Sequence, residues 1–245
     1  MSASPTFIGI EPASGRRPFT LAALDADLNL LALGAASPDE ALAYAAGQEA
    51  AVIGVNAPAR PSRGLAGSGR WHDRRAAEYE LHRLGITPPR TPRDAADAPG
   101  WMQRGFALFA ALENLGFGAP PAAPSAEPAR CTLETHPPGA FTALLGVVPF
   151  PRNSLEGRIQ RQLVLYLNQV NVPNPMGIFE EITRHRLLKG LLPLEELHTP
   201  AELDALAAAF TARYAAENPA SILRLGDTAE GQVFLPVRAM NPIAS

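Results

Sequence analysis

The chain has 245 residues, 47% of them hydrophobic and 18% charged, enough for one large core or two modest ones and incompatible with disorder throughout. Its 21 basic and 24 acidic residues give a net charge of −3, which removes any global attraction to nucleic acid and leaves that role to a local basic patch. The single cysteine, Cys131, excludes an internal disulfide, has no second ligand at Cys/His metal spacing, and suits a reducing cytoplasm.

The N-terminal "MSASPTFIGIEP" has neither the charged region nor the apolar run of a signal peptide. Farther on, Asp25, Asp27 and Asn29 interrupt "ALDADLNLLALGAA" well short of a membrane span. A cytoplasmic protein without a membrane anchor is expected.

In chain order, "TFIGI" (6–10) reads as a β-strand, and "FTLAALDA" (19–26) and "LNLLALG" (28–34) as two more around a tight polar turn. "SPDEALAYAAG" (37–47) has a Ser cap, a proline at the first helical position and acids in the first turn, so it predicts a helix. "AVIGVN" (51–56) is a buried strand with one polar residue at its tip. This order lets the first and fourth strands lie parallel through a crossover.

After Pro58 the chain turns basic, with Arg60, Arg63, Arg70, Arg74 and Arg75 among glycines and Trp71. Helices are expected over 73–85 and 100–116, the second from the spacing of Trp101, Phe106, Phe109, Leu112 and Leu115. "FGAPPAAPSAEPAR" (117–130) reads as an exposed connector between two halves of a single domain spanning 1–245. "CTLETHPPGAFTALLG" (131–146) predicts a strand ending at Glu134 and then a helix. Further helices are expected over 154–168, 176–190 and 200–217, and "GQVFLPV" is a last β-like run. The class is α/β, with a mixed sheet and a helical second half.

Glu11, Asn56 and Glu134 follow three apolar strands, and ligand sites of open α/β sheets lie beyond the carboxyl ends of parallel strands. Asp204 lies in a late helix, on the polar side opposite Leu203, Leu206 and Phe210. Each also has a structural reading: Glu11 as a turn residue before Pro12, Asn56 as a strand-end cap, Glu134 as part of the turn into "THPP", and Asp204 with Glu202 as helix-dipole acids. The arginines of 60–75 read either as a solvated loop or as a phosphate-binding edge. His72 and His136 lie near the same edge, as structural histidines or proton shuttles. Cys131 reads as a buried strand residue.

The series "FIGIEP", "VIGVNAP", "RRAAEYELHRLG", "LETHPPGAFTALLG", "ELDALAAAFTARY" and "LRLGDTAEGQVFLPV" resembles, in order and over nearly the whole chain, the DUF429 family, predicted nucleases of the ribonuclease H-like superfamily. The resemblance implies a five-stranded sheet of order 3-2-1-4-5 with acids at the first, fourth and fifth strands and on a late helix. Here those positions are Glu11, Asn56, Glu134 and Asp204. It further implies Mg²⁺ or Mn²⁺ as cofactor, with Glu11, Glu134 and Asp204 as catalytic carboxylates, Asn56 as a fourth ligand, and Arg60, Arg63, Arg70, Arg74 and Arg75 on substrate phosphates.

Two ions of this kind activate water and stabilise the leaving oxygen in phosphodiester hydrolysis. Glu11 and Asn56 stand where the family usually has Asp. That double departure carries the alternative expectation of a weakened or inactive member that binds nucleic acid, a protein partner or a second copy of itself.

Overall fold

A computed structural model describes residues 4–64, 71–120, 130–181, 189–190 and 194–237. Its strands are β1 Thr6–Glu11, β2 Phe19–Leu24, β3 Leu30–Ala36, β4 Ala51–Val55, β5 Arg130–Thr135, β6 Ile222–Leu225 and β7 Val233–Pro236. They form one mixed sheet of order β3-β2-β1-β4-β5-β7-β6.

The expected order 3-2-1-4-5 is present within it, but the sheet has seven strands where five were expected. β7 adds in parallel to β5, and β6 closes the edge antiparallel to β7. β6 was not legible: "ILRL" is four residues long, and only its Leu225 is buried, so it lacks the alternation that marks a half-buried strand.

The helices are α1 Pro38–Ala46, α2 Ala76–Arg83, α3 Gly100–Asn114, α4 Pro137–Leu145, α5 Leu155–Leu167, α6 Gly177–Glu181 and α7 Pro200–Glu217. Of the helix expected over 176–190, residues 182–188 lie outside the described residues. α1 starts with a reciprocal cap, in which the Glu40 N–H donates to Ser37 Oγ and the Ser37 N–H to Glu40 Oε2. α7 repeats it with Thr199 and Glu202. Glu202 is thereby committed to the cap, and Asp204 is not. Among the described residues no helix is long and apolar enough to cross a membrane.

Two apolar layers flank the sheet. Phe7, Val52, Cys131 and Leu133 pack with Phe141, Leu165, Leu203, Leu206 and Phe210 on the face covered by α7, α4 and α5. Ile8, Ile10, Ile53 and Val55 pack with Ala41, Leu108 and Leu112 of α1 and α3 on the other. α7 was expected to keep a polar side, but Leu203 through Ala212 are all buried. The sheet covers one side of the helix, and α4 and α5 contact it as well.

Glycines set how close α7 comes to the sheet. Gly9 and Gly54 are register partners in β1 and β4. A Cβ on Gly9 would lie 1.9 Å from the Ala205 carbonyl oxygen, and one on Gly54 2.5 Å from that of Ala208. Gly9→Ala should therefore destabilise the fold by at least about 1–3 kcal/mol through overpacking, read as a lower urea midpoint.

Candidate active site

In a strand, side chains alternate between faces. Phe7, Gly9 and Glu11 form one row of β1, and Val52, Gly54 and Asn56 continue the matching row of β4, where the Asn56 N–H donates to Ile10 O at 2.9 Å. Both rows face α7, so Glu11 and Asn56 emerge at the strand ends on the side where Asp204 lies. Together they line a cleft of about 400 Å³ with Ser14, Arg17, Thr20, Trp101, His136 and Arg152.

The polar contacts there are specific. Asn56 Nδ2 donates to Glu11 Oε2. Arg152 Nε donates to Asp204 Oδ2 at 2.5 Å, and its Nη2 lies 3.4 Å from Glu11 Oε1. The other Asp204 oxygen, Oδ1, is buried with no hydrogen-bond partner among the described residues. An unmet carboxylate oxygen in a buried residue is costly.

Burial and then the charge of Asp204 push the Glu11 carboxyl up to about 8, against the Asn56 hydrogen bond and the Arg152 charge. Burial likewise raises the Asp204 pKa, with Arg152 and Arg161 opposing it. Two acids that resist ionising side by side form an environment that a cation relieves.

Glu134 is placed elsewhere. Val55 is the register partner of Glu134 in β5 and Gly54 that of Leu133, so Leu133 shares the α7 face while Glu134 points to the opposite one. Thr135, not Glu134, continues the row of Glu11 and Asn56.

Both carboxylate oxygens of Glu134 are engaged. Oε1 accepts from Arg75 Nη1 at 2.5 Å, and Oε2 accepts from Arg75 Nη2 at 2.7 Å and the Ala59 N–H at 2.9 Å. The structure thus gathers Glu11, Asn56 and Asp204 in one cleft, while Glu134 lines a neighbouring cavity with Arg75 that shares Asn56, Trp101 and His136 with it. Among the described residues no three acidic, histidine or cysteine side chains form a metal-sized group.

Of the basic segment, Arg75 is taken up by the fold, while Arg60 and Arg63 are exposed. Arg75 is 1% exposed and also donates to the carbonyls of Glu230 and Gly231. Burial works against its charge, but Glu134, Glu78 and Glu230 raise its pKa. Arg74 Nη1 lies 3.6 Å from Glu78 Oε2, with its guanidinium over the Trp71 ring. Arg63 is exposed, and its N–H donates to Glu230 Oε1. Arg60 borders a second cleft beside Phe106, Phe109 and Glu134. Arg70 lies outside the described residues.

Among the described residues the cations that line the acidic cleft are Arg17 and Arg152, and sequence reading missed both. "EPASGRRPF" did show Arg16 and Arg17 beside Glu11. Nothing near Arg152 in the chain pointed to the site.

His136 caps α4, its Nδ1 accepting from the Gly139 N–H at 3.0 Å, and burial pushes its pKa down to about 4. It is a neutral, structural wall of the cleft. His72 is exposed and lies 2.8 Å from Asp73 Oδ2. Cys131 is buried, and burial pushes its thiol up to about 11, which removes it as a nucleophile at neutral pH.

The family model described as "Protein of unknown function (DUF429)" matches residues 15–227. No curated protein and no solved structure matches the chain.

Proposed function

The chain belongs to the DUF429 family of proteins of unknown function, and from that premise we propose that it is a ribonuclease H-like, divalent-metal-dependent phosphodiester hydrolase acting on nucleic acid. The strand order 3-2-1-4-5 within the larger sheet supports the fold reading. The observation that carries the activity is the meeting of Glu11 and Asp204 in one cleft, with a buried Asp204 oxygen unpartnered.

That donor set fits one hard divalent ion: two carboxylates, and the carbonyl oxygen of Asn56 as a neutral third ligand. It does not extend to a second ion, because Glu134 is held by Arg75. Bound Mg²⁺ or Mn²⁺ would supply an activated water and charge stabilisation at a phosphoryl oxygen.

The protein's own groups have separable roles. Asn56 orients Glu11 through its amide, and Arg17 and Arg152 place positive charge on the cleft wall where an anionic substrate would lie. Asn56 in place of an acid removes one negative charge and weakens metal affinity.

Mn²⁺ titration calorimetry, together with cleavage assays on single-stranded, duplex and hybrid nucleic acids, tests the proposal. Asp204→Asn should lower Mn²⁺ affinity and activity by more than the about 10–100-fold typical of changes beyond the ligands themselves. A wild-type protein that neither binds Mn²⁺ nor cleaves any of the three substrates would refute the proposal.

A second reading, a nucleic-acid-binding member without catalysis, is favoured by the withdrawal of Glu134 into its pair with Arg75. Asn56→Asp separates the two. A gain of cleavage marks a weakened hydrolase, whereas continued inactivity with intact nucleic-acid binding marks the binding module.

A further inference from the structure

The acidic cleft carries a cation of its own. Arg152 reaches both acids, with Nε 2.5 Å from Asp204 Oδ2 and Nη2 3.4 Å from Glu11 Oε1.

The backbone around it is pinned. Arg161, 4% exposed, donates from Nη1 to the Phe150 and Gly157 carbonyls at 2.9 and 3.0 Å. The Pro151 carbonyl accepts from both the N–H and the hydroxyl of Ser154 at 3.1 Å. It also sits so close to α5 that a Cβ on Gly157 would be 2.0 Å away. The Arg152 side chain, in contrast, is 38% exposed, so water can solvate its guanidinium off the acids while its backbone stays in place.

A guanidinium and a divalent ion answer the same need here, which is to offset negative charge on two adjacent acids removed from water. Arg152 already holds one oxygen of each acid, Asp204 Oδ2 and Glu11 Oε1, so an ion held by the same two carboxylates meets its charge there. Arginine does not lose its charge by deprotonation, so the competition is built in.

Resting on the metal reading above, we propose that Arg152 is a resident counter-ion that competes with the divalent metal for Glu11 and Asp204. It sets the metal concentration at which the site loads. With the ion in place the released guanidinium remains a positive charge available to an anionic substrate.

Calorimetric and electron-paramagnetic-resonance titration of the full chain with Mn²⁺ alone tests this, in wild type, Arg152→Met and Arg152→Lys. Arg152→Met should bind Mn²⁺ about tenfold more tightly than wild type. Arg152→Lys, whose single ammonium cannot span both acids, should fall between the two, and it carries the test should the methionine variant fail to fold.

Wild-type binding with no tightening in either variant would overturn this inference and leave the metal reading standing. Binding by the variants but not by wild type would overturn metal-dependent activity of the native chain and uphold the inference. Binding by none of the three would overturn both.

Discussion

Replacing Arg75 by methionine should lower the unfolding free energy by about 3–5 kcal/mol, the cost of leaving one member of a buried ion pair without the other. Glu134 would keep only the Ala59 N–H, and the carbonyls of Glu230 and Gly231 would lose the guanidinium that joins them to β5. Urea denaturation of the single variants and of Arg75→Met/Glu134→Leu measures the coupling. The double variant should recover much of the loss, since an apolar pair of similar volume avoids the desolvation of both charges. Glu134→Gln should also lower the urea midpoint but leave Mn²⁺ affinity unchanged, because Glu134 stabilises the sheet and does not reach the cleft. An Arg75→Met protein as stable as wild type would remove this role.

The metal-free protein should lose thermal stability as pH rises through about 8. The Glu11 carboxyl titrates near 8 in the fold and near its ordinary 4.5 in the unfolded chain, so between these values the folded state holds the proton more tightly. Its contribution is fully present below 4.5 and is lost as pH rises through 8. Asp204, also raised, acts in the same direction. His136, pushed down from 6.5 to about 4, acts with the opposite sign and only at lower pH, so the range from neutrality to above 8 isolates the acids. Scanning calorimetry should show the decline in wild type, a flatter profile for Glu11→Gln, and recovery of stability when Mn²⁺ is added at the alkaline end. A decline that is the same in Glu11→Gln would assign it to another group.

Much of this was legible locally. The Ser37 and Thr199 caps, the prolines that begin α1 and α7, and the apolar runs of β1, β4 and β5 are decided by residues close in the chain, and their elements lie near their expected places. α2 is shorter than read, because Arg74 and Arg75 precede it as a polar knot tied to Glu78 and Glu134. Glu11, Asn56 and Asp204 were visible as polar residues ending apolar runs or interrupting an apolar helix.

Glu134 shows where local reading stops. It ends "CTL" as Glu11 ends "FIGI", yet the ladder pairs Val55 with Glu134, and a one-residue difference in register moves a side chain to the other face. Arg152 shows the same limit in another form, since its partner Glu11 is 141 positions away in the chain.

The sequence alone determined the α/β class, the strands β1, β4 and β5 and the capped starts of α1 and α7, because these follow from short-range patterning and capping, and its ordered motifs carried the family resemblance. Tertiary structure decided which polar tips share a face, which arginines are used up inside the fold, and which cation stands at the acids. Those outcomes depend on strand register and long-range charge pairing. Asn56 belongs to both: its place at the end of β4 was read from the chain, but only the folded β1–β4 ladder shows its amide holding Glu11.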